Sequence, residues 1–201
     1  MNDTITGLTL TVKAAQLEAG VKACAMARDK GRNPVLPLTD YRLELEGGKL
    51  LIISTDRYKL IRVTIDAADI SGDLDGLSVD GAQLDAIAAH KLVKGASDEI
   101  SLTIGGDGLT ATFSDGATLR ATATGRDFPK YRTLLEGSGD DPAPVISFDP
   151  KYLGDIAKAC AIVAGKQLDL VISGKHKPAI FAANGDGVAI TALLMPLRVK
   201  D

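Results

Sequence analysis

At 201 residues, with 45 % hydrophobic and 24 % charged residues, the chain has the length of one or two domains and the composition of an ordinary soluble globular protein. A net charge of −3 and a pI near 5.4 exclude a globally basic protein drawn to nucleic acid or to anionic membranes. They leave room for a basic lining inside an acidic exterior. With 4 % aromatics and no tryptophan, the core must be built from Ala, Val, Ile and Leu.

In chain order, a short apolar run (GLTL) precedes TVKAAQL at 11–17, which opens a predicted helix over 14–28. Three strand-like runs follow, YRLELE, KLLIISTD and LIRVTID, separated by the turns GG and RYK. After the connector 66–77, SVDGAQL at 78–84 opens a second helix over 81–94, followed by EISLTI, LTATFS and TLRATAT. Residues 136–144 (EGSGDDPAP) are rich in Gly, Pro and acid and read as a linker. SFDPKYL at 147–153 then opens a third helix over 150–164, with LDLVIS, PAIFAA and VAITALLMPLRV behind it. Asp80 and Asp149 are well placed as N-caps, and Pro150 suits the first helical position.

Leu17, Leu84 and Leu153 fall at equivalent points of three similar units, each reading strand–helix–strand–strand–strand. The expected class is α+β, with three βαβββ half-repeats. Residues 1–135 are expected to hold two of them (about 8–70 and 76–135) as one domain, and 145–201 the third as a half-sized module. Half a domain exposes a sheet edge and a helix face, so this module should need a partner. Pro196 cannot donate to a ladder and should lie on an edge or where the last strand leaves its sheet.

Catalytic signals are missing. Cys24 and Cys160 lie in Ala-rich helical stretches and read as buried core residues of a reducing compartment. His90 reads as packing and His176 as a solvated turn residue, and no Cys/His set has zinc spacing. The acid-rich SGDLDGLSVDG lacks the spacing of a calcium loop, and the Gly pairs join strand to strand, unlike phosphate loops. Glu18, Asp85 and Asp155 suit the polar faces of their helices. No cofactor is expected. The start MNDTITGLTL lacks a signal-peptide pattern and no apolar run is long enough to cross a membrane, so a cytoplasmic location is expected.

Four stretches, STDRYKLIRV (54–63), GRDFPKYRTLL (125–135), ISFDPKYLGDIAKA (146–159) and ALLMPLRV (192–199), resemble segments of the bacterial sliding clamp, the beta subunit of DNA polymerase III. They run in the family's order. They match its Thr-Asp-Gly-His-Arg-Leu segment, its Phe-Pro-x-Tyr-Arg boundary, the start of its last half-domain and its terminal Met-Pro strand. The resemblance covers the family's middle domain and the second half of its last, with no counterpart of the rest.

It implies a DNA-clamp fold, with helices lining an inner face and antiparallel sheets outside, and a processivity factor that performs no chemistry. Its peptide-binding pocket would take Thr55, Arg57, Tyr58, Lys59 and Leu60 from the first segment, and Pro129, Arg132 and Leu134 from the second. Tyr152, Pro178, Leu193, Met195, Pro196, Leu197 and Arg198 would come from the third unit. The implied partners are DNA polymerase and clamp loader, docking through short apolar peptides. Arg57 stands where the family has Gly, and Tyr58 where it has His. Duplex DNA would meet Lys13, Lys22, Arg28, Lys30, Arg32, Lys91, Lys94, Lys151, Lys158 and Lys166 through phosphate attraction without base reading.

Family rings hold twelve half-repeats, so three per chain implies a tetramer with head-to-tail contacts and suits a bacteriophage or mobile element. A non-ring adaptor that binds the same peptides, and a β-rich hydrolase, are the alternatives.

Overall fold

The computed structural model describes residues 7–90, 98–135, 146–174 and 176–197. The first unit runs β1 (Leu8–Lys13), α1 (Ala14–Cys24), β2 (Tyr41–Glu46), β3 (Lys49–Thr55) and β4 (Lys59–Asp66). The connector adds a short β5 (Ala68–Ser71), which pairs antiparallel with β1 and was not expected. The second unit is β6 (Leu77–Val79), α2 (Gly81–Ala88), β7 (Glu99–Gly105), β8 (Gly108–Thr112) and β9 (Thr118–Thr122). A short α3 (Arg132–Leu135), also unexpected, lies in the boundary motif; α4 (Pro150–Ala164), β10 (Asp169–Val171), β11 (Ala179–Gly185) and β12 (Val188–Leu194) follow.

Units one and two exchange their leading strands. β1 pairs along β7 and β6 along β2, so each unit's first strand edges the other unit's sheet. The result is a five-stranded sheet, β5-β1-β7-β8-β9, and a seven-stranded one, β10-β11-β12-β4-β3-β2-β6. The larger sheet joins strands of the third unit to strands of the first. β12 pairs with β4 over seven residues, from Val188↔Ile65 to Leu194↔Lys59, and α4 packs on α1. Ile156, Ala159, Cys160 and Phe181 of the third unit share one buried cluster with Leu17, Val21, Ile61 and Leu84.

Alternation explains which face carries the core. Ile61, Val63 and Ile65 of β4 point to the helices, while Leu60 points away. Gly20 lets α1 lie close on β4, because a Cβ there would meet Ile65 Cδ1 at 2.9 Å. Asp80 and Asp149 do cap their helices, accepting from Gln83 N and Lys151 N at 2.9 and 2.8 Å.

Four spans differ from expectation. Residues 25–27 after α1 form a 3₁₀ turn. α2 ends at Ala88, well short of 94, and residues 91–97 lie outside the described residues. Residues 146–149 ahead of α4 form no strand, and β12 stops at Leu194, where the chain leaves the sheet just before Pro196. The linker 136–144 lies outside the described residues.

The cysteines are core fillers. Both are buried; burial raises the Cys160 thiol to about 11 and that of Cys24 further still. His90 stacks on Phe113 with centroids 4.4 Å apart. Among the described residues, no helix is long and apolar enough to cross a membrane.

Candidate functional site

On the face of the larger sheet turned away from the helices, Leu51, Ile53, Leu60 and Leu193 form a second, smaller apolar cluster with Tyr131. Residues 126–135 cover it, with Phe128 edge-on to Tyr131 at 6.3 Å. Where this cover stops, a cavity of about 220 Å³ opens, lined by three separate pieces of chain. The β3–β4 turn contributes Thr55, Arg57, Tyr58, Lys59 and Leu60; the boundary segment Pro129, Lys130, Tyr131 and Leu134; and the end of β12 Leu193 and Met195.

The Thr-Asp sequence builds the turn. Asp56 Oδ1 accepts from the backbone N–H of Tyr58 and of Lys59, both at 3.0 Å. Thr55 Oγ1 donates to Lys59 O at 2.9 Å and accepts from Arg57 N at 3.2 Å. This network holds Arg57 at φ 78°, a left-handed conformation that costs a side-chain-bearing residue about 1 kcal/mol. Arg57→Gly is therefore expected to keep the stability or raise it by up to about 1 kcal/mol in urea unfolding. Any change in ligand affinity would then report the lost guanidinium rather than a lost fold.

Lys59 ties the turn to the third unit. Its side chain is 6 % exposed; Nζ lies 2.9 Å from Asp56, 3.5 Å from Asp155 of α4, and 4.6 Å from the Tyr152 ring centroid. Tyr152 stacks in turn on Tyr58, with centroids 5.6 Å apart. Met195 N donates to Tyr58 O at 3.3 Å, and Leu197 N to Ser147 O at 2.7 Å, fixing the segment after β12.

Nine of the fifteen expected pocket residues thus line one cavity: Thr55, Arg57, Tyr58, Lys59, Leu60, Pro129, Leu134, Leu193 and Met195. Pro196 and Leu197 line a neighbouring cavity of about 390 Å³ with His176, and Met195 borders both. Tyr152 stands behind Tyr58 without lining the pocket. Pro178 is half-buried just before β11 and lines none of these cavities. Arg198 lies outside the described residues.

Arg132 is a correction. Its guanidinium pairs with buried Glu44 and with Glu46, over a third cavity of about 410 Å³ on the other side of the boundary segment. The buried carboxylate of Glu44, which also accepts from the Tyr131 hydroxyl at 2.8 Å, draws it away. Tyr131 and Lys130 line the pocket and were not anticipated, although both lie inside the quoted Phe-Pro motif. Burial first, and Glu44 second, raise the Tyr131 phenol well above its usual range, so it stays a neutral donor.

Of the cations assigned to DNA, Lys13, Lys22, Lys30, Arg32, Lys151, Lys158 and Lys166 are exposed. Lys22 and Lys158 each lie five residues beyond the matched leucine of their helix. Lys22 pairs with Glu18, and Lys30 lies 3.7 Å from Asp85. Arg28 is a second correction. Its side chain is 7 % exposed, stacked over the Tyr41 ring at 4.8 Å, donating to Thr39 O at 2.8 Å and paired with Asp85. Asp85 of α2 pairs with it, so this cation ties α2 to the segment after α1. Lys91 and Lys94 lie outside the described residues.

No family model matches the sequence. Solved structures do match. A DNA polymerase III subunit beta from Pseudomonas aeruginosa superposes with a TM-score of 0.76 at 16 % identity, over 95 % of this chain and 66 % of that one. The griselimycin-bound sliding clamp of the same organism gives 0.75 at 17 % identity, over 95 % and 65 %. The Bacillus subtilis sliding clamp gives 0.73 at 14 % identity, over 96 % and 64 %. The chain thus spans just under two thirds of the length of these clamps. With the half-repeats, the leading-strand exchange and these superpositions together, the fold is that of the DNA polymerase sliding clamps.

Proposed function

We propose that the protein is a sliding clamp: a homo-oligomeric ring around duplex DNA that tethers a DNA polymerase and receives its loader through the pocket between the β3–β4 turn and the end of β12. The convergence of three distant segments on one apolar cavity carries this reading. Leu60, Leu134, Leu193 and Met195 offer it an apolar wall, and a flexible Met accepts varied side chains. Peptide docking needs no chemistry, and the protein is read as performing none. The exposed lysines on α1 and α4 supply diffuse phosphate attraction inside an acidic protein, which suits sliding over stationary binding. Twelve half-repeats per ring give four chains. The missing half of the third unit's domain would then come from a neighbour.

The test is topological. Protein loaded on closed circular duplex is expected to stay bound through a high-salt wash and to be lost once the circle is cut. Equal retention on both forms, or on neither, would replace the clamp with a peptide-binding adaptor that encircles nothing.

A further inference from the structure

The internal repeat allows each unit to be checked against the other two. In α1 the stripe Ala14, Leu17, Val21 is buried, and in α2 the matching Gly81, Leu84, Ala88 is buried, and the two helices pack on each other. In α4 the matching residues are Pro150, Leu153 and Ala157, and all three are exposed. Leu153 is 37 % accessible, where Leu17 and Leu84 are 1 % and 0 %.

The strands repeat the contrast. β2 is flanked by β3 and β6, and β7 by β8 and β1, but among the described residues β10 pairs only with β11. Leu170 and Val171 of β10 lie exposed on that bare edge, with Ile172 exposed beside them. The leading segment 146–148, equivalent to β6, enters neither sheet. Among the described residues, unit three therefore has both halves of the strand exchange, a donor segment held on one side by Leu197 N on Ser147 O as β6 is by Thr124 N on Ser78 O, and a bare acceptor strand, and neither is exchanged. An apolar edge of this kind is ordinarily covered.

Units one and two show what covers it: another unit that gives its leading strand and takes one in return. Units one and two have already exchanged with each other. The remaining unit of this sequence with a free donor and a free acceptor is the third unit of a second copy. We infer that two chains join through their third units about a two-fold axis. Residues 146–148 of each add antiparallel to β10 of the other, and the Leu153 stripes of the two α4 helices meet between them. This contact is isologous, so equivalent residues face each other across the axis. It replaces the head-to-tail contact expected from the sequence.

The inference rests on the fold and the repeat alone and holds whether or not the assembly encloses DNA. It also restricts the ring: every chain is matched to one other, so the number of chains is even.

The experiment combines absolute mass by light scattering with crosslinking of Leu153→Cys and, separately, Ala157→Cys by a short bis-maleimide. The native Cys24 and Cys160 are buried and do not compete. The expected result is a wild-type mass of two or four chains, a covalent dimer from either single variant, and loss of the dimer contact in Leu153→Asp with an unchanged circular dichroism spectrum. A three-chain mass, a monomer at every concentration, or an oligomer in which neither variant crosslinks to its own copy would overturn the inference. Covalent dimer without retention on circular DNA would leave the inference standing and remove the clamp reading. Retention on circles by an oligomer that fails to crosslink would do the reverse.

Discussion

Replacing both Met195 and Leu134 with alanine is expected to weaken capture of an apolar pentapeptide about a hundredfold, with no measurable loss of fold. In the free protein these two side chains are 43 % and 45 % exposed, so truncating them leaves no internal cavity. Each would be covered by a bound peptide and would lose about 1.5 kcal/mol of apolar contact on truncation, roughly tenfold in affinity per residue. Leu60 and Leu193 are poorer probes. Both are buried in the small cluster under the boundary segment, and Leu60→Ala alone should cost about 2–3 kcal/mol of stability. Fluorescence anisotropy with a labelled peptide gives the affinity and urea unfolding gives the stability. Unchanged affinity in the double variant would remove the pocket from the functional reading.

Lys59→Ala is expected to lower the stability by about 2–3 kcal/mol. The ammonium is almost wholly buried, and its loss leaves Asp56 and Asp155 facing each other without a counter-charge. The cost is set below that of a fully enclosed pair because the Asp155 side chain keeps 28 % of its exposure and water screens it. Loss of the cation over the Tyr152 ring adds to the effect. Because Lys59 is on β4 and Asp155 on α4, amide exchange should quicken in α4 as well as in the turn. A urea midpoint within error of wild type would mean that β12–β4 pairing alone joins the third unit to the first.

Much of the molecule was legible from local signals. Strand alternation, Gly-containing hairpins and the Asp caps each act within a few residues, and the helix over 150–164 was read to the residue. The pocket was half legible for a different reason: its three segments resemble known ones, but each carries short-range chemistry only for itself. Asp56 shapes its own turn, and Pro129 its own loop. Nothing in the linear order of Lys59 and Asp155 reveals that they meet.

The misread residues were decided by partners distant in the chain. Arg28 and Arg132 look like free cations in sequence, yet each is claimed by a carboxylate from another element, Asp85 and Glu44 respectively. A buried acid must find a counter-charge, and no local rule says which arginine will supply it.

What the amino-acid sequence determined alone is the threefold unit, most of its elements and the apolar character of each helix stripe, because periodicity and turn chemistry are properties of neighbouring residues. What only the tertiary structure decided is who covers whom. Leu17, Leu84 and Leu153 are the same residue at the same place in the repeat, and two are buried while one is not. The difference lies in strand exchange and in β12 closing on β4, which depend on where whole units come to rest.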